Sequence, residues 1–396
     1  MAGYTPPISR CYICHSTINL ITCPHCSAIE YCSPSHSSQD STRHSPECNN
    51  IQKSHRRFQS IHNQIKATYD VTEETMPPLF NFYAAGKAET NGILFKDPLA
   101  FGYVTSSDEY SISLFQIEGS FAALKLAYDH EVWMHNIASR YNEPGMFVTN
   151  SLLLRGEDRL CFRYARLREE DAVVRSFGAP AVELREALVE GFVDQPGILE
   201  MLWGEVDIME YLTRESGLAI VLILFWWVRD LKDLESFREV EGWFVKKLNR
   251  DVVHMIVEVI PQSGFVLKER LYQDDNLELI KRLEVWMEYY FLKLYYQHND
   301  FWTTLLEPIE HDGKFLSQSG SARGAVELCW RAWRDTPGAV DHVRGMIPKV
   351  EKWVKDRKDL VAEEERRLGP ASVGWEEEQM IIFVCDPEVR WNPWRY

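Results

Sequence analysis

No stretch of this chain is apolar for long enough to cross a bilayer. The longest run, Leu218 to Val228 (LAIVLILFWWV), is 11 residues, against about 20 for a spanning helix. Arg214 and Glu215 precede it and Arg229 follows it. That framing predicts a buried core helix and no membrane partner. Positive charge is also short, with 43 Lys plus Arg against 59 Asp plus Glu and a formal net charge of −16. Phosphate binding needs a cationic surface, so a chain this acidic is a poor candidate for general binding to nucleic acid or anionic lipid. The opening, Met1-Ala2-Gly3-Tyr4-Thr5-Pro6-Pro7, lacks the apolar stretch of a secretory signal. It predicts a protein of the nucleus or cytoplasm that is not secreted.

Catalytic signatures are missing as well. Gly86-Lys87 and Gly313-Lys314 lack the upstream glycine of a phosphate-cradling loop, and no Gly-x-Gly-x-x-Gly or Gly-x-Ser-x-Gly occurs. His130-Glu131-Val132-Trp133-Met134-His135 superficially resembles a zinc-protease helix. Its histidines are five apart, however, about 140° off one helical face, so they cannot grip one metal. No catalytic and no organic-cofactor residues are assigned.

What is present is an ordinary globular composition, 45% apolar and 26% charged, with 13 Trp, 17 Tyr and 19 Phe to fill a core. The cysteines are unevenly placed. Six of nine lie at Cys11, Cys14, Cys23, Cys26, Cys32 and Cys48; Cys161, Cys329 and Cys385 are scattered and read as buried thiols. In a reducing compartment the clustered thiols stay free to bind metal. Cys11-x2-Cys14 and Cys23-x2-Cys26 are two short knuckles, each able to present two sulfurs. Cys32-x3-His36 and His44-x3-Cys48 are i,i+4 pairs, which share one face of a helix. Four pairs give eight ligands, enough for two closed sites (Cys3His each when a Cys-x2-Cys knuckle joins a Cys/His pair), hence two Zn²⁺ per chain, structural because no position is left for water. Sequential and interleaved pairing both satisfy the spacing. His15 and His25 sit inside the knuckles and read as surface residues.

The run Cys11-x2-Cys14-x8-Cys23-x2-Cys26-x4-Tyr31-Cys32-Ser33-x2-His36-x3-Asp40-x3-His44-x3-Cys48 resembles a MYND zinc finger. The resemblance implies interleaved sites: Cys11, Cys14, Cys32 and His36 on one zinc, and Cys23, Cys26, His44 and Cys48 on the other. Three positions depart from the family pattern. His36 stands where Cys is usual and remains a competent ligand. Ser37 and Ser41 stand where family members that bind proline-rich peptides have Gln and Trp in the peptide groove. The finger, with Ile18, Leu20, Ile21, Ile29 and Tyr31 as its apolar complement, needs metal to hold a core at this size.

The remainder reads as helical. Phe58, Ile61, Ile65 and Tyr69 mark one face of a helix over 51–69. Lys53, His55, Arg56 and Arg57 make a short basic knot read as a solvated face. Residues 70–107 read as a connector. Helical stretches follow at 109–127, 129–141, 146–170, 180–191, 196–213, 216–235, 250–260, 274–306, 320–335 and 338–347, then a charged segment over 349–368. Helix pairs recur about every 30–45 residues, which suits a degenerate helical array. In the last stretch, Met380 to Cys385 suggests a strand before a Trp-rich tail. The expected organisation is a finger over 1–50, a helix and connector over 51–107, a helical domain over 108–370 and a tail over 371–396. The fold class is mainly α: a small two-zinc finger followed by an all-α helical array. Leu152 to Asp158 with Cys161-Phe162, Phe301-Trp302-x2-Leu305-Leu306, and Ala332-Trp333-Arg334-x-Thr336-Pro337-Gly338-Ala339 resemble fungal MYND-finger proteins with helical C-terminal regions.

Two function classes follow. One is an interaction or adaptor protein that recruits other proteins, in transcriptional or ubiquitin-linked regulation. The other is a relative of the SET-MYND protein lysine methyltransferases. Those enzymes carry catalytic sequence upstream of the finger and an Asn-His-x-Cys downstream. Only ten residues precede Cys11 and that motif is not found, so the chain is expected not to be an enzyme. Finger and helical body are expected to be separable, with metal needed by the finger alone.

Overall fold

The computed structural model describes residues 8–72, 98–137, 143–162, 164–165, 214–274, 276–297, 299–306 and 322–368. The helices expected at 180–191 and 196–213, the strand at 380–385 and the tail lie outside them. The described residues are mainly α-helical and form two compact units, one between residues 8 and 165 and one between 214 and 368.

The first unit opens with a short hairpin. β1 (Ile21–Thr22) pairs antiparallel with β2 (Glu30–Tyr31), Ile21 opposite Tyr31 and Thr22 opposite Glu30. Helix α1 (Pro34–Tyr69) follows at once and runs 36 residues. Its start is written in three residues: Ser33 is extended and accepts from the His36 amide, and Pro34 supplies a fixed φ at the first turn. Its end is Asp70 in the left-handed region, whose amide closes on the Lys66 carbonyl. The helix thus starts well before residue 51, passes through Pro46 and carries residue 50 inside it.

Helix α2 (Pro98–Phe115) lies antiparallel to α1. Four contacts set that register: Asn50 to Gln116 at 3.2 Å, Ser54 to Ser113 at 2.9 Å, Arg57 to Glu109 at 2.6 Å and His62 to Tyr103 at 3.2 Å. Its first half, 98–107, falls in the expected connector and its second half in the helix expected from 109, because the inward side is largely serine. Ser106, Ser107, Ser111 and Ser113 are all buried, and serine leaves no apolar period to detect. Ser106 and Ser113 return their hydroxyls to the Tyr103 and Tyr110 carbonyls, so small polar residues sit in a helix interface at little cost. α2 ends in a turn with Gly119 at φ +72°, inside the single helix expected over 109–127. Helices α3 (Phe121–Ile137) and α4 (Glu143–Leu154) then pack together.

The second unit is built on α5 (Arg214–Val245) and α7 (Asn276–Gln297), which pack along each other. Leu218 to Leu224 is fully buried, as the flanking charges implied. α6 (Arg250–Val259) is capped by the Asn249 side chain. Asp230 of α5 accepts the Gln262 and Ser263 amides at 2.7 and 2.6 Å, fixing the chain after α6. A π-helical turn spans Val266–Arg270, and α8 (Asn299–Leu306), α9 (Ala322–Asp335) and α10 (Ala339–Leu368) complete the unit. Tryptophans fill it: Trp227 meets Phe265 at 4.4 Å, Phe291 stacks on Trp302 at 4.1 Å, and the Trp226 indole donates to Thr336 at 2.8 Å. α10 runs through Pro348 into the segment read as merely charged. A proline inside a helix removes one backbone bond and bends the rod, but packing on α7 and α8 keeps it continuous.

Where α1, α2 and α3 meet, an aromatic cage surrounds the half-buried His130. Its Nε2 meets the Ser107 hydroxyl at 2.8 Å, and Phe58 and Tyr110 stand edge-on at 4.8 and 4.9 Å. Burial, with nearby His55, depresses His130 to about 3. An unfolded chain protonates this histidine near pH 6.5 while the folded one does not. Its contribution is therefore full above pH 6.5 and lost progressively as pH falls toward 3, by about 2 kcal/mol between pH 6.5 and 5. In denaturant titrations, His130→Gln is expected to flatten that part of the stability–pH curve relative to wild type. Parallel curves would show that His130 is not the group responsible.

Candidate metal centre

Each Cys-x2-Cys knuckle closes in the same way. The amide after the second cysteine donates back to the first cysteine's carbonyl: His15 to Cys11 and Ser27 to Cys23, both at 2.9 Å. His15 and Ser27 take left-handed φ of 60° and 58°. That fold aims backbone N–H groups at the first sulfur. Burial opposes ionisation of Cys11, but the amides of Cys14, Cys32 and Ile13 outweigh it and bring the thiol down to about 6. Cys23 is lowered in the same way, against its own burial, by the amides of Cys26 and His25.

The other ligands come from the start of α1. Helical periodicity places His36, Asp40, His44 and Cys48 four residues apart along one side. The structure gathers Cys11, Cys14, Cys32 and His36 into one group and Cys23, Cys26, His44 and Cys48 into another, with all donor atoms of a group within 4.8 Å of one another. Spacing had left the pairing open, and the geometry is the interleaved one. In the first group Cys14 and Cys32 sulfurs are 3.5 Å apart, and His36 Nδ1 is 3.4 and 3.2 Å from Cys11 and Cys32. In the second, Cys23 and Cys48 sulfurs are 3.9 Å apart and His44 Nε2 is 3.3 Å from Cys26. A tetrahedral zinc with ordinary bond lengths needs S···S edges of about 3.8 Å and S···N edges of about 3.5 Å. The donor sets fit that ion.

The two groups differ in exposure. All four members of the second are buried, whereas Cys14 of the first is exposed and Cys32 and His36 are half-buried. Burial raises the thiols of Cys26 and Cys48, and a divalent cation would reverse that by supplying the missing charge. With Nε2 of His44 turned to the metal position, its Nδ1 points to Glu47 Oε2 at 3.5 Å, the acidic orienter typical of zinc histidines.

Asp40 lies between the helical ligand pairs and is buried. The Tyr31 hydroxyl donates to it at 2.9 Å, and Arg43 reaches both carboxylate oxygens at 2.6 and 2.7 Å. Burial opposes its ionisation, but Arg43 and Tyr31 outweigh burial and hold the carboxyl below its ordinary range. Arg43 in turn lies over the Tyr12 ring at 4.4 Å. This four-residue chain locks the first knuckle to the helix. Sequence reasoning had noted Asp40 and missed Arg43, whose acidic partner at i−3 was the available signal.

His15 and His25 are exposed and belong to neither group. His130 is committed to Ser107, and Glu131 to Ser111. Cys161 and Cys329 are buried thiols, the former donating to the Thr149 carbonyl at 3.5 Å; Cys385 is outside the described residues.

Elemental analysis of the purified protein is expected to give two zinc ions per chain. Cys48→Ser should bring the value to about one, since a lost thiolate opens a structural site. A wild-type value near one would remove one cluster from the metal centre.

Residues 11–48 match the family model described as MYND finger. No curated protein and no solved structure matches the chain. With the ligand geometry above, the N-terminal segment of this chain is a MYND-type zinc finger with two Cys3His zinc-binding sites.

Proposed function

We propose that this chain is an interaction or adaptor protein that recruits other proteins in the nucleus or cytoplasm, in transcriptional or ubiquitin-linked regulation, and that it is not an enzyme. Cys11, Cys14, Cys32 and His36 hold one zinc, and Cys23, Cys26, His44 and Cys48 hold the other. One observation carries the reading: each cluster offers four protein donors, which leaves no coordination position for water or substrate. Zinc held in this way shapes a surface and does not activate a nucleophile. The finger supports the same reading, since MYND fingers typically mediate protein interactions. Among the described residues no helix is long and apolar enough to cross a membrane.

The finger's own surface argues against proline-rich ligands. Ser41 is exposed and its hydroxyl is spent on the Ser38 carbonyl at 2.7 Å. The aromatic and aliphatic neighbours that could replace a groove tryptophan are turned inward: Ile29 is 0% and Tyr31 1% exposed. Tyr12 is held by Arg43 and donates to the Glu118 carbonyl at 3.1 Å. A buried aromatic anchor is worth about 2 kcal/mol or more, roughly thirtyfold in affinity.

Titrating a Pro-x-Leu-x-Pro peptide is therefore expected to show weak or no binding to wild type and tighter binding to the Ser37→Gln, Ser41→Trp double variant. Equal, tight binding to both would sink the argument. Calorimetry with S-adenosylmethionine separates the adaptor from the methyltransferase. No binding heat is expected, and a saturable one-to-one isotherm would turn the reading to an enzyme.

A further inference from the structure

We propose that the Cys23, Cys26, His44 and Cys48 cluster is a folding lock for α1, α2 and α3, so that zinc at this one cluster decides whether those helices stay assembled. The proposal rests on the ligand assignment above. It replaces the expectation that metal matters to the finger alone.

Three observations converge on it. The first is covalent continuity in one secondary element. α1 carries His44 and Cys48, and then, with no break, Ile51, Phe58 and Ile65, all buried. Phe58 and Ile65 belong to the core formed with Tyr103 and Val104 of α2 and Met134 of α3. Cys48 and Ile51 are three residues apart, less than one helical turn.

The second is the grip of the finger on the α2–α3 turn. The Ser120 hydroxyl donates to the Ala28 carbonyl at 2.5 Å and also receives the Ala123 amide at 3.2 Å. One buried oxygen thus holds the finger loop and starts α3. Asn50, two residues past Cys48, reaches Gln116 at 3.2 Å, while the first knuckle adds one exposed contact, from Tyr12 to the Glu118 carbonyl at 3.1 Å. Ala28 follows Cys26 closely, and the Cys23 amide is bonded to the Ile29 carbonyl at 2.8 Å. The loop that meets Ser120 is therefore shaped by the second cluster's own knuckle.

The third is the asymmetry between the clusters. The first places a single ligand on α1, His36 in its opening turn, and is partly exposed. Its loss frays an end. The second holds α1 twice, further in, and every ligand is buried. Its loss leaves three thiols and an imidazole crowded without a cation. Relief requires moving the 23–29 loop and the helix around residues 44–48 at once. Such motion releases Ser120 on one side and Ile51 on the other, and local opening spreads through a cooperative unit.

The test uses the full-length protein as wild type, Cys14→Ser and Cys48→Ser, with zinc content and amide hydrogen exchange read on the same samples. Cys48→Ser is expected to lose about one zinc and to speed exchange at α1 53–68, α2 and α3 on the order of tenfold or more, whereas Cys14→Ser loses about one zinc and leaves those amides within about twofold. Stepwise chelation of wild type is the second measurement, and it decides if Cys48→Ser does not accumulate. Exchange in α1 to α3 should rise as the second zinc leaves and recover when zinc is restored. Zinc loss with unchanged exchange, or equal effects of the two variants, overturns the lock and leaves the ligand assignment standing. A wild type holding no zinc overturns both.

Discussion

Six thiols lie three to a group in two donor groups, each within 4.8 Å, and thiolates that close repel one another. A divalent cation in each group reverses that repulsion, and the rest of the finger serves to keep the two groups in place. Three thiolates on one zinc leave a residual charge near −1 per site. The start of α1 answers that charge, because its first amides, capped by Ser33, present the positive end of a helix beside Cys32 and His36. More than two turns further on, Arg43 neutralises the buried Asp40 that lies between the helical ligand pairs. The apolar contribution is small. Ala28, Ile29 and Tyr31 are the buried side chains of the hairpin region besides the cysteines, so charge balance replaces a hydrophobic core.

One helix then carries this arrangement into the body. A finger joined by a flexible linker would present its surface in any direction. This one is fixed to its helical unit along α1 and at the turn around Ser120. Under the proposed recruiting role, such mounting would lower the entropy lost when a partner binds. It also means that a surface assembled from the finger and the adjoining helices is set by the fold before any partner arrives.

The site was legible because zinc imposes spacing. Two Cys-x2-Cys knuckles and two i,i+4 pairs can be read from residue numbers, since the ion needs four donors at fixed distances. Pairing was not legible from spacing, because the chain can close either way and only the resemblance favoured interleaving. The helical body was legible where apolar residues recur, as at Phe58, Ile61 and Ile65. It was hidden where serine fills the interface, as in α2, and where proline sits inside a helix, as at Pro46 and Pro348. The contacts that tie finger to body were out of reach. Ser120 and Ala28 are 92 residues apart, and neither residue type announces a long-range partner. Arg43 has a local partner in Asp40, but its stacking on Tyr12 needs the knuckle to be folded first.

That separation of 92 residues also orders events during synthesis. All eight donors are available once Cys48 has left the ribosome, whereas α2 is complete only with Phe115. At ordinary elongation rates the 67 residues from Asn49 to Phe115 take roughly 3–13 s. Through that interval α1 has no α2 to pack on, and an isolated helix begins with an unfavourable nucleus. Metal capture in that interval would set His36, His44 and Cys48 at helical spacing in advance, so that the nucleus would exist before the packing partner does. The nascent chain would then wait with its first helix already started at one end, and α2 would add to a surface whose orientation the ion had chosen.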